Sequence, residues 1–179
     1  MNILYISGSP RKDSNTDYLL ETARALTGGE FLKLADYDLE PCRSCLACNK
    51  SGLCAIEDAM SEIITPMVRG SDALVLGTPV YFNNVSAQLK TFIDRTWPLR
   101  GELANKIGGA VVVGRKYGLE GAVTAINAFF LKHMMIPANR GVCGIAFRQK
   151  EITQDEEAIE AAIGLAERIL ELGRIIGYR

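Results

Sequence analysis

A chain of 179 residues is long enough for one domain with a sizeable core, since folding at this size buries roughly 70% of the unfolded chain's surface. Its 20 Lys and Arg residues nearly balance its 21 Asp and Glu residues, which argues against a nucleic-acid-binding surface. No apolar run approaches the roughly 18 residues of a membrane helix, and the segment MNILYISGSPRKDS lacks a signal-peptide core. These properties predict a cytoplasmic protein, in which clustered cysteines more often bind metal than form disulfides.

Short apolar runs alternate with amphipathic stretches along the chain, as strands alternate with helices. Apolar residues at helical spacing mark helices around positions 19–26, 63–67, 89–93, 123–130 and 159–170. Thr153 and Glu156, in capping-box spacing, predict where the last helix starts. The predicted strands are Asn2–Ile6, Glu30–Ala35, Asp72–Gly77, Gly108–Gly114 and Val142–Phe147.

Five strands alternating with helices predict an α/β fold, a doubly wound parallel sheet with helices on both faces. We interpret residues 1–179 as a single domain, interrupted only by a cysteine-rich loop at residues 41–55 after the second strand. Ligands of open α/β sheets bind outside the carboxyl ends of the strands. A site is therefore expected in the loops after strands one, three and four.

The loop after the first strand, SGSPRKDSNTD, is rich in hydroxyl groups and leads into a helix. Backbone N–H groups and the helix dipole both favour an anion at such a position, so the loop suits a phosphate. An ordinary strand-to-helix turn, with Ser14 and Asp17 as a capping box, explains the same residues, and the loop alone does not decide between the two. Its hydroxyl and amide groups come from Ser7, Ser9, Ser14, Asn15 and Thr16, and Arg11 adds a positive charge.

The loops after strands three and four add aromatic residues and glycines. Tyr81 and Phe82 lie where a planar ring could stack, Asn83 offers an amide, and Asn84 or Ser86 can cap the next helix. The glycines of GRKYGLEG, residues 114–121, permit close approach of the backbone to a flat ligand. Aromatic residues in a loop often serve packing alone, but three such loops at one sheet edge favour a site for a phosphorylated planar cofactor.

Four cysteines fall within the stretch CRSCLACNKSGLC. Cys42, Cys45, Cys48 and Cys54 have the spacing C-x₂-C-x₂-C-x₅-C, a compact relative of ferredoxin spacing that favours a [4Fe–4S] cluster. A zinc site or an empty reduced loop remains an alternative, although structural zinc ligands more usually come as two separated pairs. The fifth cysteine, Cys143, is expected to pack in the core.

The only histidine, His133, has no catalytic partner nearby in the sequence and is expected in the core or in solvent. No side chain is predicted to act as a general acid or base. The neighbouring apolar residues suit either the core or a contact surface between subunits; they are Phe129, Phe130, Met134 and Met135.

The segments GSPRKDSNT and GTPVYFNNVSAQLKTFIDR resemble the flavodoxin-like NAD(P)H-dependent FMN reductase family, and CRSCLACNKSGLC resembles its iron–sulfur flavoprotein branch. The resemblance covers about residues 1–126. It implies a flavodoxin-like five-stranded parallel sheet of order 2-1-3-4-5, FMN as cofactor, and a homo-oligomer, dimer or tetramer, in which a cluster approaches a neighbour's flavin.

The resemblance also implies roles for individual residues. The cluster would be held by the four cysteines, and the phosphate of FMN by Ser9, Arg11, Ser14, Asn15 and Thr16. The ring and ribityl chain would contact Pro79, Val80, Tyr81, Phe82, Asn83, Gly114, Arg115, Tyr117 and Gly118. The loop after strand four is less glycine-rich than the family pattern, so Arg115, Lys116 and Tyr117 would narrow or charge the ring site.

These features predict an FMN- and [4Fe–4S]-containing oxidoreductase that takes electrons from ferredoxin or NAD(P)H and passes them through FMN to an acceptor. One alternative is an NAD(P)H-dependent FMN or quinone reductase whose cysteine loop is purely structural. Another is a non-catalytic flavin-binding or electron-carrier module with a zinc-stabilised loop. Metal content and NAD(P)H turnover distinguish the three.

Overall fold

A parallel sheet organises the chain in the computed structural model, which describes residues 1–178. Its strands run in the order β2-β1-β3-β4-β5, with β6 also paired to β4. The predicted order 2-1-3-4-5 is thereby confirmed. The strands are β1 Ile3–Ser7, β2 Glu30–Lys33, β3 Ala73–Pro79, β4 Ile107–Gly114, β5 Ile136–Pro137 and β6 Val142–Ile145.

Two short strands share the outer edge of β4. Ile136 pairs with Ile107 near the start of β4, whereas Val142 pairs with Val111 further along. β5 and β6 therefore follow one another along the same edge, and β6 is the predicted fifth strand. β5 has only two residues, one of them Pro137, and is too short to show an alternating pattern in the sequence.

Helices cover both faces of the sheet, as predicted. Ile3 and Tyr5 point to one face and Leu4 and Ile6 to the other, because successive strand residues alternate. The first face is covered by α1 and α6 and the second by α3, α4 and α5. No helix described within residues 1–178 is long and apolar enough to span a membrane. The helices are α1 Asn15–Thr27, α2 Cys48–Ser51, α3 Thr65–Gly70, α4 Ala87–Arg95, α5 Leu119–Lys132 and α6 Glu156–Ile176.

Helix starts were predicted with mixed success. Ser14 and Ser86 cap α1 and α4, since their hydroxyls accept from the backbone N–H groups of Asp17 and Leu89. The capping box predicted at Thr153 is wrong. Thr153 lies in a preceding 3₁₀ turn, and the carboxylate of Asp155 caps α6 instead. Asp155 is the better placed acceptor because it directly precedes the first helical residue.

The apolar group near the end of α5 belongs mostly to the core. Phe129, Phe130 and Met135 are buried, and only Met134 is exposed. The alternative of a contact surface is therefore wrong for three of the four residues. Between β2 and α3, by contrast, the described chain forms only short helical segments of three to five residues, α2 among them, and this stretch carries the four clustered cysteines.

Candidate functional site

A cavity of about 460 Å³ opens at the carboxyl ends of β1, β3, β4 and β6. This volume lies in the usual range of cofactor pockets, roughly 300–1,000 Å³. All but one of the residues predicted to hold the cofactor line it: Ser9, Arg11, Ser14, Asn15, Thr16, Pro79, Val80, Tyr81, Phe82, Asn83, Gly114, Arg115 and Tyr117.

Gly118 is the exception, and its contribution is to the shape of the wall. It precedes α5 with a φ of +74°, and a Cβ added there would lie 2.4 Å from Asn83 Oδ1. A side chain at this position is thus excluded by both conformation and space. The glycine allows the start of α5 to approach the turn that carries Tyr81 and Phe82.

The loop between β1 and α1 is ordered by its own hydrogen bonds. The hydroxyl of Ser14 accepts from the N–H of Asp17 at 3.0 Å, and Ser9 and Ser14 are both buried. The Asp17 carboxylate bonds Ser7 and Lys33 instead of lining the cavity. An acid in the first turn of α1 therefore leaves the helix terminus available to an anion.

The aromatic turn after β3 is tight and presents its rings outward. Tyr81 and Asn84 exchange two backbone hydrogen bonds, and Phe82 and Asn83 between them both have positive φ, which is the geometry of a type I′ turn. Phe82 is fully exposed and Tyr117, across the cavity, is largely exposed. These rings flank the cavity mouth and can cover one side of a planar ligand.

The cavity is electropositive. Arg11, Arg115 and Arg148 line it, and no carboxylate among the described residues does. The Oδ1 of Asn15 is buried without a hydrogen-bond partner in residues 1–178. Unpaired buried acceptors are costly, so this atom is suited to a ligand donor such as a hydroxyl. The residues present fit a phosphorylated, hydroxyl-bearing, planar cofactor such as FMN.

Part of the cavity wall was missed from sequence. The missing residues lie at the end of β4 and directly after β6, and are Val113, Ala146, Phe147 and Arg148. The signal was present, because a strand parallel to β4 must end at the same sheet edge and bring its following loop there. Asn15 Nδ2 donates to the Arg148 carbonyl at 2.8 Å, which fastens this loop to the start of α1.

A second cavity, of about 390 Å³, is lined by all four clustered cysteines. Cys42 and Cys45 are exposed, Cys48 and Cys54 are half-buried, and all four are free thiols. The other lining residues come from the same segment and from the end of α4 and its following turn; they include Ile56, Asp94, Arg95, Trp97 and Pro98.

The backbone between the cysteines adopts a conformation that is rare for its residue types. Ser44 and Leu46 have φ of +51° and +59°. Each non-glycine residue in this region costs about 1–3 kcal/mol and tends to occur at functional sites. Backbone turns with left-handed residues form anion-binding concavities in many Fe–S sites. The N–H of Ser44 already lies 3.5 Å from the Cys42 sulfur.

The thiols surround a space and do not converge on a point. Within residues 1–178, no group of three His, Cys, Asp or Glu side chains is close enough to hold one metal ion. A tetrahedral zinc site with bonds of about 2.3 Å would need its sulfurs about 3.8 Å apart. In a four-iron cluster each thiolate binds a different iron, so the sulfurs stand further apart. Four thiol donors around one open cavity fit a [4Fe–4S] cluster by their chemistry.

Arg95 is a buried cation at the cysteine cavity that sequence analysis did not single out. It falls on the apolar stripe of α4, three residues after buried Phe92, and a charge at such a position was the available signal. Burial alone lowers the pKa of Arg95, but hydrogen bonds to Asp58 and the nearby charges of Cys54 and Asp58 hold it above its ordinary value.

The two cavities lie at opposite ends of α4. Residues 79–83, just before α4, line the first cavity, whereas Asp94 and Arg95 at its end line the second. The nine residues of α4 span about 13 Å at 1.5 Å each. The cavities share no lining residue, so each can be altered without touching the other.

The remaining cysteine and the histidine lie outside both cavities. Cys143 packs against the core, and burial raises the pKa of its thiol. His133 is buried, with its Nε2 3.0 Å from the Thr96 hydroxyl. Cys143 therefore matches its expected core placement, and of the two placements expected for His133 the structure shows the core.

Comparison with known proteins identifies the family. The family model described as NADPH-dependent FMN reductase matches residues 1–149. An iron-sulfur flavoprotein of Methanocaldococcus jannaschii is 38% identical over 192 residues, covering 98% of this chain and 99% of the relative. A solved flavodoxin from Archaea has a TM-score of 0.60 at 13% identity, covering 94% of this chain and 99% of that one, and shares the fold. The chain therefore belongs to the NADPH-dependent FMN reductase family, in its iron–sulfur flavoprotein branch, and is a flavin-dependent oxidoreductase with a flavodoxin-like fold.

Proposed function

We propose that this protein carries FMN in the electropositive cavity and a [4Fe–4S] cluster in the cysteine cavity, and moves electrons between them. The observation that carries the proposal is that one segment of this FMN reductase fold places four free thiols around a single open cavity. The name of the relative in Methanocaldococcus jannaschii, iron-sulfur flavoprotein, supports the same pair of cofactors.

The residues of the first cavity would hold FMN by its phosphate and its ring. Arg11 would neutralise phosphate charge, while Ser9, Ser14 and Thr16 would donate hydroxyl hydrogen bonds at the start of α1. Asn15 Oδ1 would accept from a ribityl hydroxyl, and Tyr81 would border the ring. Bound there, FMN supplies two-electron hydride chemistry together with one-electron steps.

The cysteine cavity would hold a one-electron centre close to solvent. The thiolates of Cys42 and Cys45 are exposed and those of Cys48 and Cys54 are half-buried. Two apolar residues next to cysteines in the chain, Leu46 and Leu53, are also exposed. This position suits exchange of electrons with another protein surface or another subunit.

We further propose that the electron donor is NAD(P)H or ferredoxin and that the protein is a homo-oligomer. Since α4 separates the two cavities of one chain, a dimer or tetramer would let the cysteine cavity face the flavin cavity of a partner subunit. Arg11 is assigned to the FMN phosphate. The guanidinium groups of Arg115 and Arg148 remain, and they give the phosphates of NAD(P)H a place to bind. Five unpaired cysteines are consistent with work in the reducing cytoplasm.

The test is an anaerobic purification followed by a visible spectrum and analysis of iron and acid-labile sulfide. We expect flavin bands, a broad cluster absorption, and about four irons per chain. Iron near zero together with rapid bleaching of flavin by NADPH would replace the proposal with a reductase whose cysteine loop is structural. Zinc in place of iron without NAD(P)H turnover would support a flavin-binding carrier module.

A further inference from the structure

The cysteine segment is fastened to the sheet domain at both of its ends by one side chain. Arg95 Nη1 donates to the Glu40 carbonyl at 2.6 Å, two residues before Cys42. Its Nη2 donates to the Ile56 carbonyl at 3.3 Å, two residues after Cys54. The two ends of the segment are thus held at a single guanidinium at the end of α4.

A carboxylate completes this clamp. Asp58 Oδ2 and Oδ1 each accept from Arg95 at 2.8 Å, a bidentate pair. The same carboxylate accepts from the backbone N–H groups of Glu40 at 3.0 Å and Met60 at 3.1 Å. The Arg95 side chain is 0% exposed and that of Asp58 10%. The pair is buried and satisfied on the side away from the cysteines.

One donor of the guanidinium is left over. Arg95 Nε is buried, and no acceptor in the described chain takes its hydrogen. Arg95 also lines the cavity of the four thiols, and Cys54 is near enough for its side chain to hydrogen-bond the guanidinium. A buried unpaired N–H is costly, so Nε is left for an acceptor on the cysteine side, where Cys54 lies. Sulfur carrying negative charge is the acceptor that this cavity offers.

We propose that Arg95 is the positioning residue of the cysteine cavity: it clamps both ends of the segment and gives its Nε–H to a cluster sulfur or to the Cys54 thiolate. The clamp stands on the structure alone, and the sulfur hydrogen bond rests on the proposed cluster. The role requires arginine, because its rigid planar fork supplies five donors in fixed directions, which lysine cannot copy.

The clamp is tested on FMN-bound protein freed of metal, by limited trypsin digestion. Arg43 and Lys50 are exposed cleavage sites inside the segment. We expect Arg95→Gln to accelerate cleavage there about tenfold or more, since the ends are released. Arg69→Gln is the control: it removes another arginine–carboxylate pair, with Glu102, that does not line the cysteine cavity, and it should cleave like the parent. Equal cleavage of Arg95→Gln and the parent would overturn the clamp.

Loss of Arg95 leaves Asp58 as a buried, unpaired carboxylate, which by itself destabilises the fold. The double variant Arg95→Gln/Asp58→Asn removes both charges and keeps the test valid if the single variant does not fold. Retained FMN binding shows that the sheet domain is intact. Segment cleavage that stays at the parent rate in the double variant would equally contradict the clamp.

The sulfur hydrogen bond is tested by reconstituting the variants with iron and sulfide and titrating the cluster potential by EPR. Hydrogen bonds to sulfur raise cluster potentials, so Arg95→Lys should hold a cluster of more negative potential and lose iron to a chelator faster. A parent-like potential and iron loss in Arg95→Lys would refute the hydrogen bond. Failure of the parent itself to take up iron would refute both the proposed cluster and the hydrogen bond to sulfur. The clamp would still be decided by the trypsin digestion.

Discussion

The two cavities of this protein are built in different ways. The cavity proposed for FMN, the flavin cavity, lies where parallel strands end, and its walls are fixed by helix caps, a type I′ turn and cross-loop hydrogen bonds such as Asn15 to Arg148. The cysteine cavity is formed by a segment with almost no regular structure, held at its ends by Arg95. One is a product of the fold, and the other is attached to it.

This difference predicts that the two cofactors behave differently. The flavin cavity should exist before FMN binds, because strands and helices position its residues. The cysteine segment carries left-handed Ser44 and Leu46 and few backbone partners, so its final shape should depend on the centre it holds. Removal of metal should therefore loosen residues 42–54 and leave FMN binding unchanged.

The sharpest way to break this comparison is to remove one cysteine ligand. We expect Cys48→Ala to lose most of its iron while retaining FMN, because the cavities share no lining residue. Since loss of even an outer hydrogen-bond partner typically weakens a metal site about 10–100-fold, iron content should fall at least about tenfold. Iron analysis and flavin absorbance on the same sample measure both.

Cys143→Ala is the matched control, since this cysteine packs against the core and lies outside the cysteine cavity. It should keep iron at the parent level. Parallel loss of FMN and iron in Cys48→Ala would show that the two regions form one unit and would contradict the separation argued above.

The flavin cavity is tested next by removing Arg11, the cation proposed to bind the FMN phosphate. Arg11→Ala should weaken FMN binding about 10–100-fold, the equivalent of a charge-assisted hydrogen bond of about 1.5–3 kcal/mol. Riboflavin, which has no phosphate, should bind the variant and the parent alike in fluorescence titrations. Lys12→Ala removes a neighbouring charge that does not line the cavity and should change neither affinity. Equal weakening of FMN and riboflavin would place Arg11 away from the phosphate.

A smaller effect is expected where two loops of the flavin cavity touch. Gly118→Ala introduces a Cβ 2.6 Å from the Asn83 Cα at a φ of +74°, so the Tyr81–Asn84 turn must shift. We expect FMN to bind several-fold more weakly and the fold to lose about 1–2 kcal/mol, measured by denaturant titration. Gly28→Ala has a similar φ, +71°, with no atom within 4 Å, so it should lose stability without losing FMN affinity. Unchanged FMN affinity in Gly118→Ala would mean that the turn does not shape the site.

Sequence predicted the first region far better than the second. The ends of β1, β3 and β4 follow from buried apolar runs, whereas the strand order follows from the family resemblance. Together they bring the predicted loop residues to one sheet edge. The loop after β6 was missed, although the strand itself was predicted. Its pairing with β4 was not used to locate the loop that follows it. A loop that must end at the same sheet edge is predictable from topology, whereas local patterns alone do not reveal it.

The cysteine region shows what spacing cannot supply. The four thiols were recognised as one ligand set, and the structure gathers them around one cavity. Arg95 and Asp58 were not recognised, because they are 37 residues apart and their pairing depends on how the segment returns to α4. Long-range contacts of irregular segments leave no periodic signal, so a charge on an apolar helix face was the only available sign.

The smallest expected effect concerns the core that both regions share. Burial, assisted by the charge of Lys132, lowers the pKa of His133 below its ordinary 6.5. Below this pH His133 is protonated in the unfolded chain but not in the folded one. The free energy of unfolding should therefore decline as the pH falls below about 6.5 and level off below the folded pKa. His133→Asn should flatten this part of the stability–pH curve, because it removes the titrating ring beside the Thr96 hydroxyl. Denaturant titrations of the parent and of His133→Asn at several pH values between about 4 and 8 measure this effect, and parallel stability–pH curves for the two proteins would contradict it.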